Sequence, residues 1–151
     1  MLSIGKLTDY GTRVMGYLAR RPDEFHNAGS VAQALGLTTP TVSKILKLLG
    51  RAKLLESLRG THGGYRLVRD PAQISVAEVI RSLEGPLALT ECSVAAGLCV
   101  QENSCAIRPN WQRINQVVVE ALERVSLAEF MQPVLGVERQ APNQTETQYL
   151  G

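Results

Sequence analysis

Residues 27–51 read N-A-G-S-V-A-Q-A-L-G-L-T-T-P-T-V-S-K-I-L-K-L-L-G-R. Ala28 to Leu35 predicts a short helix. Gly36 follows where a chain leaving a helix in a left-handed conformation favours a residue without a β-carbon. Thr39-Pro40 then offers an N-cap and a proline in the first helical position, predicting a second helix that runs to Leu49. Two short helices joined by a glycine-containing turn make a helix-turn-helix. Ala32 is small where the helices must approach, and Val42, Ile45, Leu46 and Leu49 fall on one face of the second helix, the core face. The opposite face carries Thr39, Thr41, Lys44, Lys47 and Arg51, with Ser43 at its border. These side chains suit phosphates or base edges in a major groove. Helix-turn-helix geometry also occurs without DNA, so the flanking sequence has to decide.

On the C-terminal side, Leu54 to Leu58 and Tyr65 to Val68 read as two short strands joined by Arg59-Gly60-Thr61-His62-Gly63-Gly64. The glycines permit a tight hairpin, and Arg59, Thr61, His62, Gly63 and Arg66 give it a donor-rich surface. Read for itself, His62 is a solvent-exposed turn residue unless DNA lies near. On the N-terminal side, Leu7 to Arg20 has apolar residues at Leu7, Tyr10, Val14, Met15, Tyr17 and Leu18, close to helical period. Thr8 is the expected cap, Asp9 lies in the first turn where the helix dipole favours a carboxylate, and Arg21-Pro22-Asp23 ends the helix. Helix, helix, helix and basic hairpin predict a mainly α fold with a small β wing, a winged helix-turn-helix.

Charge divides the chain in the same place. Up to Asp70 there are eleven Lys and Arg against five Asp and Glu; from Pro71 onward the count is five against nine, although the whole carries only +2. A basic half suits a polyanion, most commonly nucleic acid. With 151 residues the chain can bury a core, and no apolar run is long enough to span a bilayer. Nothing at the N-terminus reads as a secretory signal, so a soluble, cytoplasmic protein with reduced thiols is expected.

Past Asp70-Pro71, Ser75-Val76-Ala77-Glu78 is a capping box opening a helix through Leu83, stopped by Gly85-Pro86. All three cysteines follow in one polar segment without clear period: Cys92, Cys99 and Cys105, with six residues between the first pair and five between the second. Such thiolates suit an iron-sulfur cluster, Zn2+ or Cu(I). The competing readings are chance core cysteines, disfavoured by neighbouring Glu91, Gln101, Glu102, Asn103 and Ser104, and a redox-switching pair with a spare thiol. Pro109 then opens the longest helix of the acidic half, with an apolar stripe of Trp111, Ile114, Val117, Val118, Ala121, Leu122 and Val125 that suits either folding back on the chain or meeting a partner chain, a dimer being the favoured expectation. Ser126 to Glu129 repeats the capping box before a short helix ending at Pro133, and the polar chain beyond Gly136 reads as disordered. The expected division is therefore 1–72 for DNA, 73–135 for cofactor and dimerisation, and 136–151 as tail. No repeat, phosphate-binding glycine loop, paired-His metal motif or serine nucleophile motif is present.

Taken in order, Lys6-Leu7-Thr8-Asp9-Tyr10, Val42-Ser43-Lys44, Arg59 to Tyr65, Ile74 to Ile80, the three cysteines, Trp111 and Ser126-Leu127-Ala128-Glu129 resemble the IscR and NsrR family of bacterial winged-helix repressors. Leu83 to Cys92 and Trp111 to Asn115 are most similar to its regulators of the Suf iron-sulfur assembly system. The resemblance implies a non-enzymatic homodimer that binds double-stranded operator DNA through the second helix and the wing. It also implies an iron-sulfur cluster, [2Fe-2S] or [4Fe-4S], on Cys92, Cys99 and Cys105, whose state alters repression of assembly genes. Nitric-oxide or thiol sensing on the same fold is the alternative within the family; an iron-sulfur carrier or redox protein is the alternative outside it. Two departures matter: the first cysteine gap is one residue longer than is common, and Arg108 stands where some members have a histidine ligand. The fourth ligand implied by NsrR-like members is an aspartate from the other subunit, and Asp9 matches it; Glu91, Glu102 or a small thiol are the other candidates.

Overall fold

The computed structural model describes residues 4–133, ordered as α1 (Lys6–Ala19), α2 (Ala28–Leu35), α3 (Thr39–Arg51), β1 (Leu55–Leu58), β2 (Gly64–Leu67), a 3-10 turn (Pro71–Gln73), α4 (Val76–Glu84), α5 (Glu91–Val94), α6 (Arg108–Arg124) and α7 (Leu127–Phe130). This is a winged helix-turn-helix followed by a long helix, as the sequence predicts. The tail expected to be disordered lies outside the described residues.

Local chemistry accounts for the helix-turn-helix. Asn27 accepts the Ser30 N–H as the α2 cap, and Gly36 leaves the helix at φ 65°, ψ 33°. Val42, Ile45, Leu46 and Leu49 of α3 are fully buried, so the predicted core face is the core face. They join Val14, Met15 and Leu18 of α1, Val31 and Ala32 of α2, and Val79 and Leu83 of α4 in one cluster. Ile74 and Leu127 belong to it too. Division at residue 72 is therefore one of proposed roles, since the core runs across it.

Two expected caps move. Thr38, not Thr39, caps α3: its backbone is extended and its Oγ1 accepts the Thr41 N–H, placing Thr39 and Pro40 inside the first turn. Adjacent threonines are equivalent by local sequence, and the proline is tolerated at either of the first positions. Nor does Thr8 cap α1. Gly5 takes that place, while Thr8 is buried at 2% exposure and donates to Glu84 Oε1 at 2.8 Å. The partner lies far along the chain, so no local pattern announces it.

The wing pairs Leu55 with Leu67, Glu56 with Arg66, Ser57 with Tyr65 and Leu58 with Gly64 in antiparallel register. A third strand position, which the sequence did not suggest, comes from His26: its N–H and C=O exchange hydrogen bonds with Tyr65, both 2.9 Å. The hairpin is thus anchored to the segment that enters α2.

Both predicted capping boxes form, Ser75 with Glu78 at α4 and Ser126 with Glu129 at α7. Between them α6 runs back over α4, where Val119 and Leu122 cover a second cluster of Val76, Ala77, Ile80 and Leu87. Its end is tied down by Val76 N–H to Val125 O (2.9 Å) and Leu127 N–H to Ile74 O (2.7 Å).

Candidate nucleic-acid interface and cysteine loop

The exposed side of α3 forms an open groove of about 420 Å³ lined by Pro40, Ser43, Lys44, Lys47, Leu48 and Arg51. These positions recur at helical spacing, so the core on one face presents them on the other. Lys44 and Lys47 are exposed and make no ion pair among the described residues, leaving both ammonium groups available to phosphates. Thr41 is half-buried beside the groove, with its hydroxyl 2.8 Å from that of Thr38. Thr39 is exposed at the helix start and does not line the groove.

At the wing, Arg59, Thr61 and His62 are exposed, and Gly63 closes the turn through its N–H to the Gly60 carbonyl (3.0 Å). Arg66 is occupied differently. Its Nε donates to Glu56 Oε1 at 2.7 Å, and its guanidinium carbon sits 4.4 Å from the centre of the Phe25 ring. The sequence presents Arg66 as a free donor, but the register fixes Glu56 opposite it. These contacts tie β2 to β1 and to the segment before α2.

The cysteine loop joins α4 to α6. Its entrance is pinned by two α6 side chains whose local sequence gives no sign of these contacts. Asn115 Oδ1 accepts the Leu89 N–H (2.7 Å) while its Nδ2 donates to the Leu87 carbonyl (3.4 Å). Gln112 Nε2 donates to the Cys92 carbonyl at 3.3 Å. An amide carries both a donor and an acceptor, which is what a passing backbone requires.

Cys92 lies on α5, a helical turn inside what the sequence presents as loop, with Sγ 3.2 Å from Thr90 Oγ1. Cys99 falls at a bend and Cys105 in irregular chain between turns; all three cysteines are free and half-buried. Three soft thiols that are neither paired nor sealed in a core are a donor set suited to a soft metal or an iron-sulfur cluster. Among the described residues of this single chain, no three His, Cys, Asp or Glu side chains are gathered into a metal-binding group. Asp9 stands exposed in the first turn of α1, and its carboxylate has no hydrogen-bond partner among the described residues. Of the other candidate ligands, Glu91 is exposed, whereas Glu102 is engaged by Arg108 at 2.6 Å.

The model of the Rrf2 family, described as iron-dependent transcriptional regulators, matches residues 4–133. The chain belongs to the Rrf2 family. Among curated proteins it is 31% identical to the HTH-type transcriptional regulator NsrR of Geobacillus kaustophilus over 133 residues, covering 87% of this chain and 90% of that one. It is 33% identical to NsrR of Bacillus subtilis over 109 residues, 71% of this chain and 75% of the relative. Among solved structures it is similar to CymR, the global cysteine regulator of B. subtilis, with a TM-score of 0.71, 30% identity and coverage of 87% and 97%. It is also similar to T. potens IscR, with a TM-score of 0.63, 28% identity and 86% of each chain covered. This Rrf2 protein is therefore a DNA-binding transcriptional regulator rather than an enzyme. No helix among its described residues is long and apolar enough to cross a membrane.

Proposed function

We propose that the chain is a homodimeric repressor of iron-sulfur assembly genes whose operator affinity depends on an iron-sulfur cluster, [2Fe-2S] or [4Fe-4S], held by Cys92, Cys99 and Cys105. Asp9 of the second copy is the proposed fourth ligand. The observation that carries this reading is the donor set: three free, half-buried thiols on the one connection between α4 and α6, in a chain whose family is described as iron-dependent. When bound, such a cluster supplies a cross-link between thiolates that oxidation, nitrosylation or iron loss removes.

The remaining work belongs to the protein. Lys44 and Lys47 meet phosphates, Thr39 and Thr41 stand in the first turn of α3 with Ser43 in its groove, and Arg59, Thr61, His62 and Gly63 approach the backbone from the wing, with Arg66 bracing it. Dimerisation is supported by α6, which buries no residue fully and leaves Val117 at 61%, Ile114 at 47% and Trp111 at 40% exposure. An apolar row this open is satisfied by a second copy of the same row. Asn115 and Gln112 tie the loop entrance to that helix, so a change in loop arrangement bears on the angle between paired α6 helices.

The test is anaerobic purification with iron, sulfide and zinc quantified per chain, followed by binding to operator and scrambled duplexes with and without the cofactor. Matching iron and sulfide, with operator affinity that changes on their removal, is expected. Zinc alone, or no metal after anaerobic reconstitution, refutes the cluster. A second reading makes the thiols themselves the sensor, favoured by similarity to Staphylococcus aureus CymR, solved in an oxidized form (TM-score 0.67, 25% identity, 88% and 98% of the two chains covered). It predicts operator binding that responds to oxidant in metal-free protein.

A further inference from the structure

Glu102 is out of place in a solvated loop. Its side chain is only 11% exposed, although Gln101 and Asn103 beside it are exposed. One carboxylate oxygen lies 2.6 Å from Arg108 Nη2, and the other accepts the backbone N–H of Gly97. Gly97 stands between the first two cysteines, Glu102 between the second and third, and Arg108 three residues beyond the third at the start of α6. A single carboxylate therefore gathers both inter-cysteine arms and fastens them to the long helix. Its two oxygens are occupied by charge-assisted donors, the stronger kind of hydrogen bond. The Nε of Arg108 is buried and has no acceptor among the described residues. An unsatisfied buried donor is costly, and a thiolate brought against it would satisfy it.

We propose that Glu102 and Arg108 form an internal clamp that holds the three-thiol loop folded before any cofactor arrives, making Glu102 a positioning residue rather than a ligand. The relation to the cofactor rests on the function proposed above; the clamp itself is a property of the metal-free chain. It orders Cys99 and Cys105, which flank Glu102. Cys92 is held separately by α5, Thr90 and Gln112.

The experiment is timed alkylation of each thiol in full-length, reduced, metal-free protein, read by peptide mass spectrometry, in wild type, Glu102→Ala, Glu102→Gln and the charge-swapped double variant Glu102→Arg with Arg108→Glu. Opening one charge-assisted clamp corresponds to about a tenfold change in exposure. Glu102→Ala is expected to speed Cys99 and Cys105 by about that factor while Cys92 changes less; the swap returns part of the protection. Glu102→Gln keeps the shape and loses the charge, giving an intermediate rate should the alanine variant fold poorly. Equal rates for all three cysteines in wild type, Glu102→Ala and Glu102→Gln would overturn the clamp. Metal analysis of the same proteins separates the two ideas. A protein that never takes iron but shows the alkylation pattern retains the clamp and loses the cluster. A reconstituted cluster whose absorption spectrum changes form in Glu102→Gln makes Glu102 a ligand and refutes the positioning role.

Discussion

Replacing Gly64 by alanine should unseat the wing, and its neighbours set the size of the effect. Gly64 has φ +145°, and a β-carbon there would lie 2.3 Å from the His26 carbonyl oxygen and 2.8 Å from the Asn27 nitrogen. Both are backbone atoms, so no side chain can swing aside. The clash falls on the paired bonds between His26 and Tyr65. Losing both costs about 1 kcal/mol each, and an L-residue held at this φ adds roughly 1–2 kcal/mol. The reduced freedom of the unfolded alanine chain offsets about 0.5 kcal/mol of that. A net loss near 3 kcal/mol follows.

Gly60 is the internal control. It has φ +116°, but no atom lies within 4 Å of the β-carbon position. Gly60→Ala therefore carries the strain without the clash and should cost only about 1 kcal/mol. Urea denaturation of wild type and both variants measures the difference, and hydrogen exchange at the His26 and Tyr65 amides locates it. Operator binding by fluorescence anisotropy should weaken more for Gly64→Ala, because Tyr65 lies beside Gly50 at the end of α3, the helix proposed to meet DNA. If the two variants agree within about 0.5 kcal/mol, the third strand position is not what anchors the wing.

Other perturbations probe the remaining parts. Lys44→Ala and Lys47→Ala should each flatten the plot of log affinity against log salt by about one phosphate contact, and an unchanged slope would remove that lysine from the interface. Val117→Glu should yield a monomer by sedimentation, with monomer stability kept within about 0.5 kcal/mol because the position is exposed; a persistent dimer would place the interface elsewhere. Burial pushes Glu78 up, but the Ser75 N–H, Arg69 and the Ser75 hydroxyl outweigh it and hold the carboxyl below 4.5. Its stabilisation is therefore present above the unfolded carboxylate range and lost as pH falls through the depressed folded value. Glu78→Gln should shrink the fall in Tm over that acid window, and an unaltered fall would show that the capping box does not contribute there. Thr8→Val should cost about 1 kcal/mol, the net worth of the bond to Glu84, whose exposed carboxylate can turn to water; a neutral result would mean that this bond adds nothing to stability.

The sequence announces those parts whose causes are local. Ala28 to Leu35 forms a helix between Asn27 and Gly36 because both ends are written within ten residues, and the capping boxes at Ser75 and Ser126 are legible for the same reason. What escapes it depends on distant partners. Thr8 looks like a cap until Glu84 is folded against it. Arg66 looks free until strand register sets Glu56 opposite it. The cysteines mark their loop by composition alone, whereas Glu102 reads in sequence only as a candidate ligand and Gln112 and Asn115 only as part of a resemblance; the contacts they make depend on the fold.

Those contacts also make the loop's position between two helices consequential. Its entrance leaves α4 at Gly85 and its exit begins α6, but the far end of α6 returns to the opposite end of α4 through Val76, Val125, Ile74 and Leu127. The loop and α6 therefore close a ring on α4, whose Val79 and Leu83 lie in the same buried cluster as the core face of α3. A rearrangement of the loop cannot be absorbed by loose chain at either end. It must shift α6, distort α4 or break the clamp at Glu102, and close packing makes distortion of α4 expensive. Shifting the loop-proximal part of α6 about its anchored far end leaves the winged-helix core intact, so under the proposed function the dimer angle is the softest coordinate linking the thiols to DNA. A loop change that altered operator affinity in a chain made monomeric at Val117 would contradict this route, because the coupling would then run through the core itself.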